Sequence, residues 1–131
     1  MYIQINQRST TPLYEQLTQQ IKELVAKGIL QEGEQLPSVR ELASQVVINP
    51  NTVSKAYKEL ERQGVIVTLR GKGTFVAARE DYVVDPKQQE RIKQQIQQLV
   101  IEATYAGIQE KTFAGWVREE YAKVGGTEHA D

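Results

Sequence analysis

The chain has no cysteine, one histidine (His129) and one tryptophan (Trp116). Without thiols there is no disulfide framework and no thiolate metal site, which suits a reducing compartment. A lone histidine in a polar tail, with no serine or carboxylate constellation at catalytic spacing, leaves acid-base and nucleophilic catalysis without parts. No enzyme activity, metal or cofactor is therefore expected. No apolar run is long enough to span a bilayer and no signal-peptide pattern opens the chain. A cytoplasmic protein without membrane contact follows as the expectation. A charge excess is missing as well, since the formal net charge at pH 7 is −1. Taken alone, that argues against a polyanionic partner.

The distribution of charge argues otherwise. Residues 1–80 hold ten Lys+Arg against eight Asp+Glu, residues 81–131 six against nine, and residues 36–79 seven against three. Basic charge gathers in one stretch, where release of counterions from a nucleic acid would reward it. That stretch includes Leu36 to Val76, LPSVRELASQVVINPNTVSKAYKELERQGVIVTLRGKGTFV.

Within it, Ser38 followed three residues later by Glu41 is a capping box, and Val39, Leu42, Ala43 and Val46 recur at helical spacing behind it. Asn49-Pro50 repeats the start signal as a cap followed by proline at the first helical position. The helix it opens buries Val53, Ala56, Tyr57 and Leu60, and Gly64 stands where a left-handed C-terminal cap belongs. Asn51, Lys55, Lys58 and Arg62 fall opposite that stripe, with Thr52 and Ser54 on its flanks. Hydrogen-bonding groups thus come first and cations later, an order that suits a major groove. Val65 to Leu69 reads as a strand, Arg70-Gly71-Lys72-Gly73 as a turn with glycines at positive φ, and Thr74 to Ala77 as the returning strand. Such a wing tip brings cations and bare amides to a phosphate or the minor groove. Gly71-Lys72-Gly73 lacks the spacing of a nucleotide-binding loop.

Pro37-Ser38-x-Arg40-x-Leu42-Ala43, then Asn49-x-x-Thr52-Val53-x-x-Ala56-Tyr57-x-x-Leu60, then Gly71-x-Gly73-Thr74-Phe75-Val76 resemble the DNA-binding domain of GntR-family transcription regulators over roughly residues 10 to 78. The resemblance implies that Arg40, then Asn49, Asn51, Thr52, Ser54 and Lys55, then Gly71 and Gly73 meet double-stranded DNA. Ser38 beside Arg40, the tip cations Arg70 and Lys72, and Thr74 complete the candidate interface. Pro50 and Ser54 stand where many relatives carry arginine.

Before the motif, Thr11-Pro12 opens a helix with the stripe Leu17, Ile21, Leu24 and Val25, closed by Gly28; Tyr2, Ile3 and Ile5 suggest an extended arm. Beyond it, residues 81–86 read as a linker. An amphipathic helix carrying Ile92, Ile96, Leu99, Val100, Ala103 and Ala106 ends near Gly107, and a second carries Phe113, Trp116, Val117, Tyr121 and Val124. Two such helices cannot bury both apolar faces by themselves, so they must dock on the first domain or on another chain. Self-association is the economical answer, and residues 87–124 are expected to form a homodimer. Its contacts are Ile92, Ile96, Leu99, Val100, Ala103, Phe113, Trp116, Val117 and Tyr121. The resemblance agrees, since so short a C-terminal segment is similar to the YtrA-like branch. Residues 125–131 read as a tail.

The expected fold class is mostly α with a small β-wing, a winged helix-turn-helix over residues 1–80 followed by a two-helix dimerisation segment. The expected function is a sequence-specific transcription regulator, a repressor on a palindromic operator. Helix 49–63 would enter the major groove, with the tip 70–73 at the minor groove or backbone. The alternative is a winged-helix adaptor for protein contacts, whose binding would lack a steep salt dependence. The sequence assigns no small-molecule effector.

Overall fold

A computed structural model describes residues 1–125. Its helices are α1 (Leu13–Ala26), α2 (Val39–Val46), α3 (Pro50–Arg62), α4 (Pro86–Tyr105) and α5 (Glu110–Gly125), with strands β1 (Ile66–Leu69) and β2 (Gly73–Val76) between α3 and α4. The chain divides into two compact units, Met1–Val83 and the part from Val84 onward.

In the first unit α3 packs on both α1 and α2. Leu17 and Ile21 of α1, Leu42 of α2, and Val53 and Leu60 of α3 are fully buried. Each such side chain contributes about 1.5 to 3 kcal/mol relative to exposure. Both expected caps form. Ser38 Oγ accepts from the Glu41 amide at 3.1 Å while the Glu41 carboxylate accepts from the Ser38 amide at 3.0 Å. Asn49 Oδ1 accepts from the Asn51 amide at 2.8 Å, and Pro50 takes the first helical position.

Glycine ends α1, α3 and α4 in the same way. Gly28, Gly64 and Gly107 lie at φ 76°, 77° and 77°. In each case the next residue donates back into the last turn: Ile29 to Leu24, Val65 to Leu60 and Ile108 to Ala103. These left-handed caps satisfy carbonyls that the helix leaves open. Gly64 has a second reason to be glycine, because a Cβ there would stand 2.1 Å from the Asp81 carbonyl oxygen.

The extended arm is held by side chains instead of a strand. Gln16 Oε1 accepts from the Asn6 amide and Gln16 Nε2 donates to the Asn6 carbonyl, both at 2.9 Å. Gln20 does the same at Gln4. Four residues of helix rise about 6 Å, close to two residues of strand, so glutamines at i and i+4 match the spacing of alternate backbone groups. Ile3 is buried beneath.

The wing begins its return one residue earlier than expected. Gly73 pairs with Leu69, so the loop is residues 70–72. β2 also has a partner on its other side, where Gly33 donates to Val76, Val76 to Glu34 and Leu36 to Thr74 at 2.8 to 2.9 Å.

Residues 81–86 are not a plain linker. A 3-10 turn spans Arg79–Asp81, and the Val83 amide donates to the Gln63 carbonyl at 2.8 Å, tying the chain to the end of α3. At the other end Asp85 caps α4 through the Lys87 amide at 3.0 Å and Pro86 is its first residue. Asp85-Pro86 is the same start signal as Asn49-Pro50, a side-chain cap followed by proline. α5 runs on through Gly125; the rest of the expected tail, with His129, lies outside the described residues.

Candidate nucleic-acid interface

The helix-turn-helix presents its polar side as the periodicity requires. Val53, Ala56, Tyr57 and Leu60 are buried, while Asn51 and Lys55 are exposed and Thr52 and Ser54 half-buried. The tyrosine in this stripe also makes a polar link. Tyr57 donates its hydroxyl to the Pro37 carbonyl at 2.7 Å, and burial pushes its pKa well above the ordinary phenol range. It therefore stays a donor and fastens the chain before α2 to α3.

Capping uses part of what the candidate residues could offer DNA. Ser38 and Asn49 each accept a backbone hydrogen bond. What remains to them is donation, from the Ser38 hydroxyl and the Asn49 amide, which suits phosphate oxygens. Hydrogen bonds to Ser38 hold the Glu41 carboxyl below the usual carboxylate range, so this acid is committed to the cap and not to neighbouring Arg40. Arg40 is exposed.

Lys55 has a partner that sequence spacing does not reveal. Its Nζ lies 4.0 Å from the ring centroid of Tyr14, on the first turn of α1. A cation over an aromatic face is attracted by the ring quadrupole, so Tyr14 narrows the positions this ammonium samples. Tyr14 donates to Glu15 at 3.2 Å, and that bond raises its own pKa. Forty-one positions separate the two residues, and no local pattern links them.

Arg62, further along α3, is engaged within the helix. Two of its nitrogens reach the Glu59 carboxylate at 3.0 and 2.6 Å, and the arginine draws that carboxyl down to about 2. Lys58 is exposed.

At the wing, Arg70, Gly71 and Lys72 are exposed, with Gly71 at φ 77° and Gly73 at φ 122°. Thr74 is half-buried in β2. Thr68 donates to Glu61 at 2.9 Å and lies 3.4 Å from Thr74 Oγ1, so a hydrogen between the two hydroxyls comes from Thr74. Its hydroxyl is turned toward Thr68, and the tip proper is residues 70–73.

One residue beside α3 departs from local preference. Val47, in the turn between α2 and α3, has φ 56° and ψ 55° and is 80% exposed. The left-handed conformation costs a β-branched residue on the order of 1 to 2 kcal/mol. The bond from the Ile48 amide to the Ala43 carbonyl at 3.1 Å closes α2 around it.

Among the described residues no helix is long and apolar enough to cross a membrane. The family described as "Bacterial regulatory proteins, gntR family" matches residues 13–76. The HTH-type transcriptional repressor YtrA of Bacillus subtilis (strain 168) is 50% identical over 129 residues, covering 98% of this chain and 99% of its own. A crystal structure of a transcriptional antiterminator from Listeria monocytogenes EGD-e is similar at TM-score 0.77 and 43% identity, over 96% of this chain and 94% of that one. The DNA-binding domain of AraR, in complex with operator ORX1, is similar at TM-score 0.53 and 26% identity, over 59% of this chain and 99% of that one. With half its residues shared along nearly all its length and a winged helix-turn-helix at the matched positions, the chain belongs to the GntR family, YtrA-like branch, and is a DNA-binding transcription regulator.

Proposed function

We propose that the protein is a cytoplasmic repressor that binds a two-fold symmetric operator as a homodimer. The first turns of α3 enter the major groove, and the tip 70–73 lies at the minor groove or backbone. The observation that carries this reading is the division of α3. One side is buried in the core while Asn51 and Lys55 project from the other, with Arg40 on α2 and the basic tip also exposed. Asn51, Thr52 and Ser54 reach base edges, Lys55 and Arg40 reach phosphate or guanine, and Ser38 and Asn49 donate to the backbone. The name of the Bacillus relative supports repression, and the AraR complex supports binding to an operator through this domain.

The dimer reading rests on the second unit. Ile92, Ile96, Leu99 and Val100 of α4 are 48 to 50% exposed, and Trp116, Val117 and Tyr121 of α5 are 44 to 66% exposed. So much apolar surface in one segment marks a contact surface. A second copy is the economical occupant, because joining two readers raises affinity for a repeated half-site.

A footprint of the purified protein on the DNA upstream of its own gene tests the reading, and two protected half-sites in inverted repeat are expected. Titrations against that duplex and a scrambled one then separate the roles. Asn51→Ala should lose about 1 to 3 kcal/mol of discrimination, and Lys55→Ala should weaken both duplexes alike. Arg40→Ala should weaken the operator complex. If all three variants bind both duplexes as the parent does, α3 does not dock in this way.

A further inference from the structure

Lys72 is fastened at both of its backbone polar groups. The Lys72 amide donates to the Leu69 carbonyl at 2.9 Å, which closes the loop. The Lys72 carbonyl accepts from Gln35 Nε2 at 3.2 Å, and Gln35 lies 37 positions earlier in the chain. Gln35 is itself well placed, because its backbone bridges Phe75 of β2 and the residues on either side of it hydrogen-bond to the same strand. Gly73 makes the room, since a Cβ there would stand 2.5 Å from Gln35 Nε2.

Glutamine suits this position for two chemical reasons. It ends in a donor, which the Lys72 carbonyl needs and which glutamate would replace with a repelling carboxylate. It is also uncharged, so it adds no acid beside a cationic tip. One residue on, Leu36 leads into Pro37 and the Ser38 cap of α2, the helix that carries Arg40. The segment that holds the wing therefore also leads directly into the helix-turn-helix.

We propose that Gln35 is a positioning residue for DNA binding, which fixes the aim of Lys72 without itself touching DNA. The inference rests on the reading that the wing tip meets DNA. A loop of three residues free to swing would have to be ordered on binding, and that cost would come off the affinity. Gln35 is exposed, and its bond to the Lys72 carbonyl meets part of that cost before DNA arrives.

The test is a double-mutant cycle on the full-length chain with a mixed-sequence duplex, titrated at several salt concentrations, because phosphate contacts act on any sequence. Lys72→Ala should flatten the salt slope by about one ionic contact. Gln35→Leu should weaken binding about three- to tenfold, the worth of one well-placed hydrogen bond, and flatten the slope in the same direction. In the Lys72→Ala background Gln35→Leu should cost no more than about twofold, since the two act through one contact. Both variants should melt with the parent. If Gln35→Leu lowers the midpoint, Gln35→Met, which keeps the length and removes the donor, takes its place in the cycle. A neutral Gln35 variant, or losses that add fully, overturns the proposal while leaving the wing reading intact. An unchanged slope for Lys72→Ala removes the wing reading and this inference with it.

Discussion

Helices α3 and α4 start and stop by the same local grammar and end in opposite environments. Each opens with a side-chain cap followed by proline, Asn49-Pro50 and Asp85-Pro86, and each closes on a left-handed glycine at φ 77°. Each carries an apolar stripe at helical spacing. In α3 the stripe is 0 to 3% exposed, whereas in α4 Ile92, Ile96, Leu99 and Val100 remain about half exposed. Signals a few residues apart therefore decide that a helix forms and how long it is. Whether its apolar face is covered depends on what the rest of the chain, or another chain, brings to it.

The contrast can be broken most severely by removing the second unit. A chain ending at Val83 keeps the 3-10 turn and the bond from Val83 to Gln63, so it should fold with its wing intact and sediment as a monomer. On an operator with two half-sites it should lose on the order of 10² to 10⁴ in affinity while still recognising a single half-site. Trp116→Asp in the full chain should mimic this by placing an unpaired charge in the proposed interface. A truncated protein that still sediments as a dimer would locate the contact in the first unit.

The two glycine caps sharpen the comparison at smaller scale. Gly64→Ala meets both the positive φ and the Asp81 carbonyl at 2.1 Å, whereas Gly107→Ala meets the same φ with nothing within 4 Å. The second should cost about 1 to 2 kcal/mol from backbone strain alone. The first should cost clearly more, because residues 79–83 must move off the end of α3. Denaturant unfolding followed by circular dichroism reads both, and equal losses would mean that the turn at 79–81 yields freely.

The caps themselves give a smaller effect. Asn49→Ala and Asp85→Ala each remove one side-chain bond to a first-turn amide, worth about 1 kcal/mol. The loss at Asn49 should also weaken DNA binding, while that at Asp85 should appear as a lower helix content without a change on a single half-site. A loss of half-site affinity in Asp85→Ala would contradict this division.

The smallest effect lies in the acid range. Arg62 holds the Glu59 carboxyl down to about 2 in the folded chain, so the pair stabilises the fold above the ordinary carboxylate range and loses that contribution as pH falls toward 2. The pair is partly solvated, and its worth is at most about 1 kcal/mol. Melting midpoints of the parent and Glu59→Gln should therefore differ at pH 7 and converge near pH 2. A difference that persists there would assign the loss to packing.

The sequence by itself determined the order and kind of the elements and the faces of α1, α2 and α3. Ser38 with Glu41, Asn49 with Pro50, and the glycines at 28, 64 and 107 act over four or five residues, so their hydrogen bonds can be read from spacing. It also placed Asn51 and Lys55 on the open side of α3, because periodicity assigns sides, and Arg70 and Lys72 at a turn tip, because glycines mark the turn. Tertiary structure decided which of these groups have partners. Tyr14 beneath Lys55, Gln35 behind Lys72, Tyr57 on Pro37 and Asp81 over Gly64 join residues 17 to 41 positions apart. It also decided that Val47 takes a backbone conformation its side chain resists. No local preference encodes these contacts, since their geometry exists only once the helices have packed. The half-exposed stripes of α4 and α5 show the same limit, because periodicity marks an apolar face without naming what will cover it.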